Sequence, residues 1–219
     1  SSDLVILVTK HKSFEAASIW KESFEEEKVG VLNFASSTHP GGGVSWGSTA
    51  QEECLCRVST LYPVINQKKA LNSYYIPNRA HYTTLANDRI LYSEAITVFK
   101  DDEPIANPLP KEKWFKVDVL TCAAPNLRSN PHMVSEEKLY GLHLSRAKHI
   151  LHIAAFKGVD YLVLGAFGCG AFQNNPWVVA KAYRDALKEY RGYFKAIEFA
   201  IYCRDFETEN YAAFSKTLA

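Results

Sequence analysis

The sequence predicts an α/β domain with a mainly central sheet, on three observations. Short runs rich in β-branched and aromatic residues alternate with helix-like stretches along nearly all 219 residues. Two of those runs open directly into glycine-rich loops. The apolar share of 47%, with 13% aromatics, rules out general disorder. The length suits one large domain, taken as 1–219, that buries about 70% of its chain surface on folding.

Taken in order, Leu4 to Val8 is a short apolar run, and a helical stretch follows from about Lys12 to Glu27. Val29 to Phe34 is a second apolar run that leads straight into loop residues. Thr49 to Leu61 reads as helical, and so does the region from Lys68 to Tyr75. Ile96 to Phe99, Lys116 to Thr121, Tyr161 to Leu164 and Ala196 to Tyr202 are further strands. Asp101 to Lys113, with Pro104, Pro108 and Pro110, is the best long surface loop. Ser135 to Phe156 is the clearest helix, because Leu139, Leu142, Ala147, Ile150, Leu151 and Ala154 share one face at the helical period. Pro176 to Tyr190 and Glu207 to Leu218 complete the set, with Pro176 suited to a first helical turn.

Charge is unevenly spread. Lys and Arg number 25 against 24 Asp and Glu, a net charge of +1 with no basic block, which disfavours a cationic nucleic-acid face. Charged residues make up 22% of the chain, yet Val29 to Gln51 and Tyr161 to Ala180 contain none. These two runs hold most of the 11 glycines, so their neutrality is not simply greasiness. The second carries Gly165, Gly168, Gly170, Gln173, Asn174, Asn175 and Pro176, which no membrane-crossing helix would. No basic-then-apolar leader opens the sequence, and the 5 cysteines include no CxxC pair. The expectation is a cytoplasmic, reduced, monomeric protein with no cofactor and no membrane partner. His149 and His152 stand three apart on the long helix and His143 six before the first of these, without a matching ligand cluster. They read as helix-surface or core histidines, so no metal is expected.

The first neutral run reads strand, then Pro40-Gly41-Gly42-Gly43, then a helix that Ser48 or Thr49 can cap. Consecutive glycines after a strand let a ligand approach bare backbone, with N–H groups free for an anion; a flexible turn is the alternative. Glu52 and Glu53 fall in the first turn of the following helix. There they complement the helix dipole, or else they serve as carboxylates at the rim of a sugar–phosphate pocket. Neighbours on a helix point about 100° apart, so the two would take different roles. The second neutral run reads strand, Gly165-Ala166-Phe167-Gly168-Cys169-Gly170-Ala171-Phe172, then helix. That order presents amides and a helix N-terminus to phosphate. The spacing is not the dinucleotide fingerprint, and no Gly-Lys-Ser/Thr follows. Two such loops in one α/β domain suggest a diphosphate-containing ligand held in one crevice at the strand ends.

The strings Val31-Leu32-Asn33-Phe34-Ala35-Ser36, Pro40-Gly41-Gly42-Gly43 and Gln51-Glu52-Glu53 resemble the bacterial-type poly(ADP-ribose) glycohydrolases of the macrodomain superfamily. The likeness continues through Cys54-Leu55-Cys56-Arg57, Ala124-Pro125-Asn126 and Gly165 to Gly170. It implies a macrodomain-like three-layer α/β/α fold with a mixed central sheet and ADP-ribose bound across its crest. It implies a glycosidase that cuts the ribose–ribose bond of poly(ADP-ribose), or acts on ADP-ribosylated macromolecules, with ADP-ribose as product. By the same resemblance Glu53 is the catalytic acid and Glu52 anchors ribose hydroxyls. Gly41, Gly42 and Gly43 form the first ligand loop, with Asn33 and Gln51 beside it. Gly165, Ala166, Phe167, Gly168, Cys169, Gly170 and Ala171 form the diphosphate loop, and Phe172 packs on the distal ribose. His39 stands where relatives often carry Asn.

Glycoside cleavage needs a proton for the leaving oxygen and support for an oxocarbenium-like sugar. Desolvation around Glu53, or the neighbouring Glu52, is the expected means of keeping that proton at neutral pH. Two other functions share the fold and both loops: a mono-ADP-ribose hydrolase, and an ADP-ribose-binding module that does not cut.

Overall fold

The computed structural model describes residues 3–219. Its strands are β1 (Val5–Thr9), β2 (Val29–Phe34), β3 (Leu91–Val98), β4 (Phe115–Cys122), β5 (Tyr161–Leu164) and β6 (Ala196–Ala200). They form one sheet in the order β1-β6-β5-β2-β4-β3. All neighbours are parallel except β3, which runs antiparallel to β4 at one edge. The helices are α1 (Ser13–Ser23), α2 (Gln51–Val58), α3 (Leu61–Ile65), α4 (Lys68–Ala70), α5 (Ile76–Ala80), α6 (Glu136–Phe156), α7 (Pro176–Leu187) and α8 (Glu209–Leu218). A π-helical turn, Leu71–Tyr75, joins α4 to α5.

The two-residue alternation of the strands makes two cores. Leu32, Leu120, Leu162, Leu164, Ile197 and Phe199 point to one face, where α6, α7 and α8 cover them with Ile150, Leu151, Val179, Tyr183 and Phe214. Val29, Val31, Val117, Val119, Tyr161 and Val163 point to the other, against Phe14 and Ala17 of α1 and Leu55, Leu61 and Ile65 of α2 and α3. Strands buried on both faces explain why β2 and β5 read as continuous apolar runs rather than alternating ones. This is the expected three-layer α/β/α arrangement around a mixed sheet.

Local chemistry fixes the element ends. Ser135 Oγ accepts the Lys138 N–H at 3.1 Å to start α6, and Asn175 Oδ1 accepts the Trp177 N–H at 2.9 Å ahead of Pro176 to start α7. Two expectations are corrected. The helix expected over Thr49 to Leu61 breaks at Ser59. There the chain extends to bridge Val98, and Thr60 N–H donates to Thr97 O at 3.0 Å, so pairing with the sheet edge overrides helix propensity. The strand expected at Ile96 begins at Leu91. A bulge between Ser93 and Ile96, with Ala95 at φ 54°, breaks the alternation that would have revealed its first half. Asp118 stabilises the bulge by accepting the Ala95 N–H at 3.0 Å and the Tyr92 hydroxyl.

Adjacent parallel strands put successive loops on one crest. The chain leaves β2 into residues 35–50 and leaves β5 into residues 165–175, and β2 pairs with β5. The two neutral runs therefore converge at the carboxyl ends of neighbouring strands. Among the described residues no helix is long and apolar enough to cross a membrane.

Candidate functional site

The site is built outward from the end of β2. Gln51, first residue of α2, accepts the Phe34 N–H with Oε1 at 2.8 Å. Its Nε2 donates to Leu32 O at 2.7 Å and Ser13 Oγ at 3.1 Å. Its amide pins α2 against the strand end. The expected cap is also corrected: Ala50 is the N-cap of α2 with no side-chain bond, while Ser48 O accepts from Arg57 Nη2.

With α2 fixed, its first turn carries Glu52 and Glu53 under the crest, only 2% and 8% exposed. Glu52 Oε2 accepts from Asn33 Nδ2 at 2.9 Å, and Oε1 accepts the Ser36 N–H at 2.9 Å. Asn33 Nδ2 also donates to Thr121 Oγ1 at 3.1 Å on β4, and the buried Asn33 Oδ1 has no partner among the described residues. Glu53 Oε1 accepts the Gly43 N–H at 3.0 Å; among the described residues its other oxygen has no donor. Burial pushes the Glu52 carboxyl up to about 8, opposed by the Ser36 and Asn33 bonds and helped by the charge of Glu53. The two expected means of holding the proton are desolvation around Glu53 and the neighbouring Glu52; the deeper carboxyl is Glu52.

The first glycine loop lies directly over this pair. Gly42 sits at φ 58°, and a Cβ there would stand 2.9 Å from Glu53 Oε1 and 3.1 Å from Glu52 Oε1. Only glycine allows that approach and that backbone. The same numbers place the two carboxylate oxygens at most about 6 Å apart. Gly41 and Gly43 complete the turn, with Gly42 N–H on His39 O and Val44 N–H on Gly41 O. His39 is exposed, its Nδ1 2.9 Å from Thr38 Oγ1.

The second loop runs from Gly165 through Phe172. The Phe167 and Cys169 N–H groups close turns on Gly165 O and Ala166 O. Those of Ala166, Gly168, Gly170 and Ala171 have no protein acceptor among the described residues, which leaves a row of amides for an anion. Gly168, at φ 76°, packs so close that a Cβ would meet Ala124 Cβ at 2.6 Å. The Phe167 ring is fully buried against Phe34 and His143, so only its backbone faces the crevice. Phe172 is half-buried against the same core. Burial pushes the Cys169 thiol up, which suits a packed residue rather than a reactive one.

Behind these loops lie three buried residues, of which His143 matches its expected reading as a core histidine while Asn174 and Arg146 carry no sequence expectation of a structural role. Asn174 Nδ2 donates to Pro125 O at 2.7 Å, Gly168 O at 2.9 Å and Phe172 O at 3.2 Å, so one amide ties both ends of the loop to the end of β4. Its Oδ1 lies 2.7 Å from His143 Nε2. Because Nδ2 is turned to carbonyls, that imidazole nitrogen carries the proton. Burial lowers His143 to about 4, so it is neutral. Arg146 donates Nη1 to Ala123 O at 3.0 Å and Nε to Asp88 Oδ1 at 3.0 Å, buttressing the same strand end. The available signal was the Asn174-Asn175-Pro176 string after the glycine loop, read only as loop. Asn174→Ala removes these bonds and strands several buried carbonyls. It is expected to destabilise the fold by about 3 kcal/mol, read as a melting temperature about 9 °C lower.

Together the crest offers a row of free N–H groups, with two close carboxyl groups and an unpaired amide oxygen buried beneath it. That set fits a ligand with an anionic group and nearby hydroxyls. Among the described residues no group of three His, Cys, Asp or Glu could hold a metal ion.

Comparison with known proteins agrees. A family model described as microbial-type PARG, catalytic domain, matches residues 1–101. The chain is similar to the solved poly(ADP-ribose) glycohydrolase (PARG) of Thermomonospora curvata, with 31% identity and a TM-score of 0.89 over 99% of this chain and 77% of that one. For that organism's enzyme bound to the inhibitor ADP-HPD the values are 32% and 0.87, over 97% and 78%. For the Deinococcus radiodurans enzyme in complex with ADP-ribose they are 34% and 0.87, over 98% and 84%. No curated protein matches the chain.

Proposed function

Since the chain belongs to the microbial-type poly(ADP-ribose) glycohydrolases, glycosidases by activity, we propose that it cuts the ribose–ribose O-glycosidic bond of the polymer with Glu53 as general acid. One observation carries the assignment. Of two buried carboxyls under the glycine loop, Glu52 has both oxygens engaged by Asn33 and Ser36, while Glu53 keeps one oxygen free.

Burial is the main cause that keeps the Glu52 carboxyl protonated to about pH 8, and the charge of Glu53 adds to it, so a proton is held beside Glu53. Glu53 delivers the proton to the leaving ribose oxygen as the bond from the anomeric carbon breaks. The same carboxylate then takes a proton from water as its oxygen bonds to that carbon, which restores the acid. Ribose hydroxyls are held by Glu52 and by the unpaired Asn33 Oδ1. The diphosphate lies along the free amides of Ala166, Gly168, Gly170 and Ala171, where its charge supports the developing oxocarbenium ion. Phe172 packs on the distal ribose. Water is the only co-substrate, and the single domain 1–219 works as a monomer in the cytoplasm with no cofactor.

A mixture of poly(ADP-ribose) and mono-ADP-ribosylated protein tests the substrate. The polymer is expected to disappear first, with free ADP-ribose accumulating. Preferential release from the mono-modified protein would overturn the polymer assignment.

A further inference from the structure

The 3₁₀ turn Val44–Trp46 carries Trp46 with 80% of its surface exposed, immediately after the glycine loop that holds Glu53. The turn is braced: Trp46 N–H donates to Gly43 O at 3.0 Å, Ser48 N–H donates to the same oxygen at 3.1 Å, and Arg57 holds Ser48 O. Gly43 is also the residue whose N–H holds Glu53 Oε1 at 3.0 Å. The Trp46 backbone is therefore no more than about 10 Å from the acid, across two hydrogen bonds and the span of one residue. An indole this exposed, on a braced turn in a segment with no charge, is a platform without a partner among the described residues.

We infer that Trp46 is a base-stacking subsite for the adenine of the ADP-ribose unit on the leaving side of the scissile bond. The chemistry of the polymer places that base here. The leaving oxygen sits on the ribose that bears adenine, on the carbon next to the one joined to the purine. An exposed aromatic group whose backbone lies within about 10 Å of the proton donor is within reach of this adenine. Stacking is indifferent to charge, which matches a turn of neutral residues, and it is worth a large factor in affinity per base. The ADP-ribose unit being released from the chain end occupies the crevice itself and does not reach the indole. The inference rests on the polymer being the substrate, and it makes Trp46 the residue that separates polymer from mono-ADP-ribosylated protein, whose leaving side has no purine.

The test compares wild type, Trp46→Ala and Trp46→Phe. Trp46→Ala is expected to raise the polymer KM about ten-fold with kcat little changed. Trp46→Phe should recover part of the loss, and affinity for ADP-ribose alone should be equal in all three. Binding is read separately from cleavage with Glu53→Gln protein and a two-unit ADP-ribose oligomer. Indole fluorescence should be quenched by the oligomer but not by ADP-ribose, and the quench should vanish in the Glu53→Gln, Trp46→Phe double variant. An unchanged KM, or equal losses for oligomer and ADP-ribose, overturns the subsite. If wild type leaves polymer uncut while the oligomer still quenches Trp46, the hydrolase reading fails and the base subsite stands.

Discussion

Glu53→Gln is expected to lower polymer cleavage by about 1000-fold while affinity for ADP-ribose changes little. The substitution is conservative where the fold needs it. A glutamine carbonyl oxygen can still accept the Gly43 N–H, so the glycine loop keeps its anchor and the crevice its shape. What is removed is the transferable proton at the oxygen that faces the ligand. A variant that kept full activity would remove Glu53 from the chemistry. Loss of activity together with loss of ADP-ribose binding would show that the residue holds the loop instead. Initial rates on polymer and calorimetric titration with ADP-ribose distinguish the three results.

Glu52→Gln has the second large effect, with opposite signs for activity and stability. In the unfolded chain this carboxyl ionises near 4.5, and in the fold burial holds it to about 8. Between those values the native protein binds more protons than the unfolded one, so Glu52 makes stability fall as pH rises across that window. A neutral amide removes the penalty. The variant is expected to be about 2 kcal/mol more stable than wild type at pH 8, a melting temperature roughly 6 °C higher, with the difference gone below about pH 4.5. Asn33 can turn its unpaired Oδ1 toward the new amide, so the exchange leaves no donor facing a donor. Cleavage should fall about 100-fold, because the buried Glu52 proton and the hydroxyl anchor are both lost. In wild type the rate should decline as pH rises through about 8, where Glu52 loses its proton. Denaturation at several pH values beside rate profiles checks both signs. A Glu52→Gln protein less stable than wild type at pH 8 would mean the carboxyl is not paying a burial cost.

Much of this architecture can be read from the residues because it follows from periodicity. Val29 to Phe34 and Tyr161 to Leu164 are apolar on both faces and sit in the middle of the sheet, and Ser135 and Pro176 mark the helix starts they suggest. The convergence of the two neutral loops also follows, since adjacent parallel strands present their carboxyl ends on one side. What stayed hidden depends on contacts between residues far apart in sequence. Gln51 reads as part of a ligand motif, yet its partners are Phe34, Leu32 and Ser13, and nothing local announces them. The deeper burial of Glu52 depends on Asn33 and Ser36 closing over it, and the burial of His143 on Asn174 and Phe167 arriving from another segment. The bulge at Ala95 is invisible for a related reason: it is stabilised by Asp118 on the neighbouring strand.

Neutrality in the two glycine runs has a physical meaning in this arrangement. The free N–H groups of Ala166, Gly168, Gly170 and Ala171 suit an anion without lysine or arginine in the loop, so the proposed diphosphate site calls for no local excess of positive charge. The first run ends at Gln51, and the charges that break it are Glu52 and Glu53, the two carboxyls of the proposed site.

The most direct measurement is incubation of the wild-type protein with purified poly(ADP-ribose), followed by chromatography of the products. Free ADP-ribose is expected to accumulate at neutral pH and to be almost absent with Glu53→Gln. Polymer that stays intact while ADP-ribose still binds the wild-type protein would contradict the assignment.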